Sequence, residues 1–216
     1  MSEPNDKLIA AKQNIAQQRS AKGVGVGQAV PTKDRLPPGQ TLASGWPVLD
    51  LGIQPEIAPA EWNLEILGAA PRQTLNWESF GKMTQTRLTT DFHCVTTWSI
   101  YDAKVEGVLW RDFLALAKPE PAATHVMFHS YDGYSTNVPM QALASDPQAM
   151  LIHSYNGQPL ERKHGGPVRG WIPTLYAWKS AKWVKGVEFM LKDKRGFWEV
   201  RGYHNQGDPW KEERYS

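Results

Sequence analysis

The chain has 216 residues, of which 41% are hydrophobic and 21% charged, with ten tryptophans and a formal net charge of +2. That size and balance suit one well-cored globular domain and exclude a chain that holds polyanions by its overall charge. No run reaches 18 apolar residues and the single cysteine cannot make an internal disulfide, so the sequence predicts neither a membrane-spanning helix nor a disulfide framework.

Residues 1–35 read as a polar N-terminal tail that is mobile or wraps the surface, with one short helix around Lys7–Gln18. The start lacks the apolar stretch of a secretory leader and has no twin arginine. Together with the lone thiol, this points to the reducing cytoplasm.

The folded domain is expected over 36–216. "EWNLEILG" alternates Trp62, Leu64 and Ile66 on one strand face, and Asn76 is placed to cap a short helix. "GVLWRDFLALAKPEP" spaces Leu109, Phe113 and Leu116 for a helix that Pro119 stops. "THVMFHS" and "AMLIHSY" read as buried strands, and "VPMQALASDP" as a brief helix. "AKWVKGVEFML" reads as a late strand with Trp183, Val187 and Phe189 inward. These elements interleave without strict βαβ spacing. The expected class is α/β in the mixed α+β sense, a single compact domain with much irregular loop.

Two stretches carry chemistry. "TDFHCVTTWS" holds the only cysteine, Cys94, which can be buried filler, a nucleophile or a metal ligand; nothing nearby selects among these. Residues 162–187, "RKHGGPVRGWIPTLYAWKSAKWVKGV", contain six Lys or Arg and no acid, along with His164, Gly165–Gly166 and the hydroxyls of Thr174 and Ser180. Glycines let backbone approach an anion and an arginine fork grips phosphate, so this is either a phosphate-binding pocket or a solvated basic face. A nucleic-acid groove is disfavoured by acid-balanced flanks. The six histidines are scattered, without zinc-site spacing. "HSYDGYSTNVP", residues 129–139, is a polar stretch after an apolar strand, either a site-bearing loop or a plain turn at Asp132–Gly133.

Five motifs in order, "DFHCVTTWS", "DGYSTNVP", "NGQPLERKHGGPVR", "YAWKSAKWV" and "GFWEVRGYHNQGDPW", resemble the molybdopterin-binding domain of the sulfite oxidase superfamily, nearest its small bacterial members. The resemblance runs from about Leu36 to the C-terminus. It implies a molybdenum held by a pyranopterin dithiolene (with or without a nucleotide) and by the Cys94 thiolate, a soft ligand suited to such a metal. It further implies pterin and phosphate contacts from His164, Arg169, Ser180, Ala181 and Lys182, a hydroxyl contact from Ser130, and a flap at Ala43–Trp46. Tyr134 becomes the candidate catalytic hydroxyl.

The implied activity is two-electron oxygen-atom transfer on a small molecule. Sulfite oxidases carry an arginine soon after the metal cysteine, where this chain has "VTTWS", and Lys104 stands where another arginine is usual. Sulfoxide or N-oxide reduction is therefore expected ahead of sulfite oxidation. The rivals are a cofactor carrier without turnover and a metal-free thiol protein centred on Cys94. Without a dimerisation or haem domain in this sequence, a monomer served by a separate electron-transfer protein or carrier is expected.

Overall fold

The computed structural model describes residues 4–25 and 35–216. Helix α1 (Asp6–Ala21) starts where the Asn5 side chain accepts the Leu8 N–H at 3.1 Å, leaving one fewer orphan donor in the first turn. It is polar nearly all round. Only Ile9 and Ala16, two turns apart, are buried, and both join the main core. So the described part of the expected tail packs on the domain; residues 26–34, including parts of the "GVGVG" and "PTKDRLPPGQ" runs, lie outside the described residues.

In chain order follow β1 (Thr41–Leu42), β2 (Asn63–Gly68), β3 (Gln73–Asn76), α2 (Trp77–Gly81), β4 (Thr86–His93), β5 (Trp98–Leu109), α3 (Trp110–Ala117), β6 (His125–Ser130), β7 (Ser135–Pro139), α4 (Met140–Ser145), β8 (Met150–Tyr155), β9 (Gln158–Pro159), β10 (Arg169–Trp171) and β11 (Val184–Met190). One sheet runs β3-β2-β11-β6-β7, with β2 and β11 parallel and its other pairs antiparallel. The other has the path β1-β5-β8-β10, with β4 added to β5 and β9 to β8. This is the mixed α/β class expected, with long irregular stretches around 43–62 and after Met190.

Period-two alternation sorts side chains between two cores. Leu151 enters the main core with Leu64, Ile66, Val187 and Phe189, while its neighbours Met150 and Ile152 enter a second one with Phe92 and Trp171. Trp62 is fully buried and its indole N–H donates to the Val184 carbonyl at 2.9 Å, fastening β2 to the start of β11.

Two expectations need correction. "GVL" belongs to the end of β5, so the helix begins at Trp110; its buried stripe is Trp110, Phe113 and Ala117, not Leu109 and Leu116. The N-cap of α2 is Asn76 as read, with Ser79 completing a reciprocal capping box. "STNVP" is no loop but strand β7, with Thr136 and Asn137 fully buried because other polar groups await them inside. And β4 with the long β5, which present Cys94, carried no strand assignment in the sequence reading.

Candidate functional site

Cys94 opens the tight turn joining β4 to β5. The turn is held by backbone atoms: Cys94 N–H donates to Trp98 O at 2.8 Å, Thr97 N–H to Cys94 O at 3.0 Å, and the Gln40 side chain to that same oxygen at 3.0 Å. Thr97 takes a positive φ of 75° to close it. The side chain of Cys94 takes no part in those turn bonds; it is buried at the edge of the main core, with a 3.2 Å contact to the Thr96 hydroxyl. Burial pushes the thiol pKa up, against smaller opposing effects of Thr96, Lys12 and Arg214. A buried thiol held protonated is a poor free nucleophile, whereas a bound metal would favour its thiolate.

Cys94 opens into a cleft of about 750 Å³, counted to its open mouth. The same cleft is lined by Tyr134, Arg169, Ser180, Ala181 and Lys182, so residues up to 88 positions apart converge on it. Ser130 and His164 do not line it but adjoin it. Ser130 precedes the β6–β7 turn that carries Asp132 into the wall, and the His164 ring stacks on Trp46 with centroids 4.1 Å apart. Trp46 belongs to the flap segment and lines the cleft, and Ala43 ties that segment to β5 through Ser99 O at 2.9 Å.

Two cations, Arg169 and Lys182, line the cleft, and neither forms an ion pair among the described residues with its two lining carboxylates, Asp50 and Asp132. Arg169 is buried, has no carboxylate partner among the described residues, and donates to the carbonyls of Gly170 (3.1 Å), His164 (2.9 Å) and Ser180 (2.9 Å). Burial draws its pKa down to about 9, partly opposed by Cys94, so it stays charged near neutrality. Lys182 donates to Lys163 O at 2.8 Å and is drawn down to about 7, first by burial and then by Arg169. His164 is drawn down to about 4 by burial and the neighbouring cations, leaving a neutral ring at pH 7. Buried polar atoms with no partner are costly, yet Ser130 Oγ and His164 Nδ1 are both in that state. Two cations, two orphaned polar atoms and one soft thiol fit a metal-bearing pterin with an anionic tail.

The acid-free run is otherwise dispersed by the fold. Lys179 turns inward to Glu199, Arg162 reaches Gln54 O and Glu56, Lys163 pairs with Glu161, and Lys185 sits over Tyr131. Thr174 is engaged by Asp146, and Ser180 Oγ accepts the Ile172 N–H. The glycine pair serves the protein rather than a ligand. A Cβ on Gly166 would stand 2.0 Å from Leu160 O, and one on Gly165, whose φ is +102°, 2.8 Å from the Lys182 Cβ.

Several lining residues carry no signal of their own in the sequence, among them Asp50, Asp132, Trp198 and Tyr203. Burial raises the Asp132 carboxyl to about 6. Tyr134 donates its hydroxyl to Trp178 O at 2.6 Å, so that proton faces the backbone. Tyr203, by contrast, lines the cleft within the field of Cys94, and its hydroxyl donates no hydrogen bond among the described residues. It lay inside the quoted "GFWEVRGYHNQGDPW" motif, but a tyrosine without a charge pattern gave no reason to choose it.

Lys182 supplies a test in cofactor-free protein. Its folded pKa lies below the ordinary 10.5, so between about 7 and 10.5 the unfolded chain binds more protons and stability rises with pH. Denaturant unfolding of cofactor-free protein at pH 7 and pH 9.5 is expected to show that rise, and Lys182→Met is expected to shrink it. An unchanged pH dependence in the variant would assign the rise to other groups.

A thiol in a cleft lined by Arg169 and Lys182, with orphaned polar atoms beside it, fits a cofactor-dependent oxidoreductase domain. The comparisons agree. Residues 51–198 match the "Oxidoreductase molybdopterin binding domain", and the chain belongs to that family. Its cofactor is a molybdenum-pterin, and it is an enzyme. It is 36% identical over 184 residues to the "Uncharacterized oxidoreductase YuiH" of Bacillus subtilis, covering 84% of this chain and 92% of that one. It is 30% identical over 150 residues to the "Putative protein-methionine-sulfoxide reductase subunit YedZ1" of Azospira oryzae, covering 69% of this chain but 56% of that one. Against rat mitochondrial sulfite oxidase the identity is 27%, covering 69% of this chain and 33% of that one. The sulfane dehydrogenase SoxCD of Paracoccus pantotrophus shares the fold, with a TM-score of 0.58 at 22% identity, over 64% of this chain and 40% of that one.

Proposed function

We propose that this oxidoreductase removes the oxygen atom of a small sulfoxide or N-oxide, taking up two electrons and two protons to release the reduced compound and water. The observation that carries the reading is the make-up of the cleft around Cys94. Its walls are rich in aromatic residues (Phe92, Trp98, Tyr134, Trp178, Trp198, Tyr203), and its one arginine among the described residues, Arg169, already spends three N–H groups on backbone carbonyls. A sulfite dianion calls for several free cations, whereas a neutral S-oxide needs an apolar slot and a hydrogen-bond donor. Lys104, the other cation weighed for sulfite, is exposed on β5 and does not line the cleft. The name of the Azospira relative points the same way.

In this reading Cys94 ligates the metal, and Ser130, His164, Arg169, Ser180, Ala181 and Lys182 hold the pterin and its phosphate. When bound, the cofactor supplies a two-electron redox centre able to exchange an oxygen atom. Tyr203 and Tyr134 are the wall hydroxyls, with Tyr203 free to donate toward substrate and Tyr134 bracing Trp178. The indole and phenyl faces exclude bulk water from the reacting pair.

No helix of the described residues is long and apolar enough to cross a membrane. We place the protein in the cytoplasm as a monomer, with electrons delivered by a separate protein or small carrier, because the sequence has no haem, flavin or iron–sulfur motif. Molybdenum-loaded protein is expected to reduce at least one of a panel of alkyl sulfoxides and N-oxides with a chemically reduced dye as donor. It is expected to oxidise sulfite at least about tenfold more slowly with a dye acceptor. Faster sulfite oxidation than sulfoxide reduction would reverse the assignment.

A further inference from the structure

We propose that Lys12, on α1, binds a negatively charged group of the substrate at the rim of the cleft, so that the enzyme selects oxygen donors carrying an anion away from the reacting oxygen. The inference rests on the oxygen-atom transfer reading and adds a residue from outside the matched segment 51–198.

Helix α1 is fastened to the cleft wall at both ends. Asn5 N–H donates to the carbonyl of Leu51, a lining residue, at 2.8 Å. Ala16 packs where a Cβ on Gly202 would lie 3.6 Å away, next to the lining Tyr203. Beyond the helix, Gly25 O accepts the Arg214 and Tyr215 N–H groups, each at 2.8 Å. Lys12 stands three residues after Ile9 and four before Ala16, on the buried face. The helix's other cations, Lys7 and Arg19, are exposed; Lys12 is half-buried.

A lysine usually keeps its ammonium in water. Here the Lys12 Nζ lies 5.4 Å from the ring centroid of Trp198 and makes no ion pair or hydrogen bond among the described residues. Trp198 lines the cleft, so this contact sets the ammonium beside its wall, although Lys12 is not itself a lining residue. Asp50 is already occupied: its carboxylate accepts Gly52 N–H at 2.9 Å and the Gln54 amide at 2.8 Å. The remaining lining acid, Asp132, accepts Tyr134 N–H at 3.0 Å. An ammonium partly withdrawn from water, with a ring but no hydrogen-bonded or ion-paired partner among the described residues, gains from an incoming anion. A single such cation suits a singly charged group such as a carboxylate, not a dianion at the reacting atom.

The test uses the full-length, molybdenum-loaded protein and a matched pair of ligands, N-acetylmethionine and its neutral amide, with the sulfoxide of each as substrate. By calorimetry the acid is expected to bind about tenfold more tightly than the amide. Lys12→Met is expected to erase that preference while leaving amide affinity unchanged, and Lys12→Arg to keep it. In turnover, KM for the acid sulfoxide is expected to rise about tenfold in Lys12→Met with kcat for the amide sulfoxide unchanged. Equal affinities in the unsubstituted protein, no binding of either ligand, or a preference that survives Lys12→Met would overturn the assignment. A charge preference that vanishes with Lys12 while neither these sulfoxides nor any of the alkyl sulfoxides and N-oxides is reduced would keep Lys12 as the anion contact and sink the oxygen-transfer reading instead.

Discussion

Cys94→Ser is expected to reduce bound molybdenum from near one per chain to under about a tenth, and turnover by about 10³-fold or more, a barrier increase of ~4 kcal/mol. The fold should be nearly untouched. The hydrogen bonds that Cys94 contributes to the turn use its backbone atoms, the others come from Thr41, Thr97 and Arg214, and the sulfur's polar contact among the described residues is the Thr96 hydroxyl. Serine keeps that contact and shortens the side chain slightly, so the cost to stability should stay within about 1 kcal/mol. Pterin released on denaturation should remain well above the metal content, because the cations and the orphaned Ser130 and His164 atoms are separate from the thiol. Metal by elemental analysis, pterin by fluorescence and thermal unfolding then report three different things. Full activity in the metal-free serine variant would remove the metal from the reading; loss of all three signals together would make Cys94 structural.

The parts of this fold that were legible in the sequence are those where one local pattern decides the outcome. Leu64 and Ile66 are buried on alternate positions of β2, and Asn76 sits before an apolar turn; both local rules agree with the tertiary structure. Strand β7 breaks the rule because its inward residues, Thr136 and Asn137, are polar and find Glu199, Asp193 and Asn205, at least 56 positions away. Periodicity reports hydrophobic faces and is blind to a buried polar one. The site was legible through motif order rather than through charge. A window over 162–187 counts six cations, but only Arg169 and Lys182 reach the cleft, since the partners of the others lie elsewhere in the chain. Lys12 and Tyr203 were invisible for a related reason. One sits on a helix polar on almost every side and the other among many aromatics, so only the docking of α1 and the closing of the C-terminal segment give them meaning.

The cation that a charge count most misrepresents is Lys179, and its replacement gives the largest expected effect on stability. The side chain has no exposure, and its ammonium lies 2.7 Å from Glu199, which is equally buried. It also donates to Asn137 O at 2.7 Å and to Asn205 O at 2.6 Å, joining β7 to the C-terminal segment. Burial pulls its pKa down, and Glu199 holds it up. Such a pair gains little over a well-packed apolar pair, but losing one partner strands the other charge in a dry interior. Lys179→Met is therefore expected to cost about 3–5 kcal/mol, a fall in Tm of roughly 10 °C for a chain of this size. Glu199 cannot simply be discarded in compensation, because its carboxylate also accepts from the Thr136 hydroxyl and the Trp178 indole. Glutamine keeps an acceptor there without the charge, so adding Glu199→Gln to Lys179→Met should recover 1 kcal/mol or more, about 3 °C. The same network braces the wall of the cleft, since the carbonyl of Trp178 receives the Tyr134 hydroxyl. Turnover in Lys179→Met should thus fall even well below its melting temperature, and the double variant should regain activity in step with stability. Additive losses in the double variant, with no recovery, would show that Lys179 and Glu199 act separately and that the buried pair does not organise this wall.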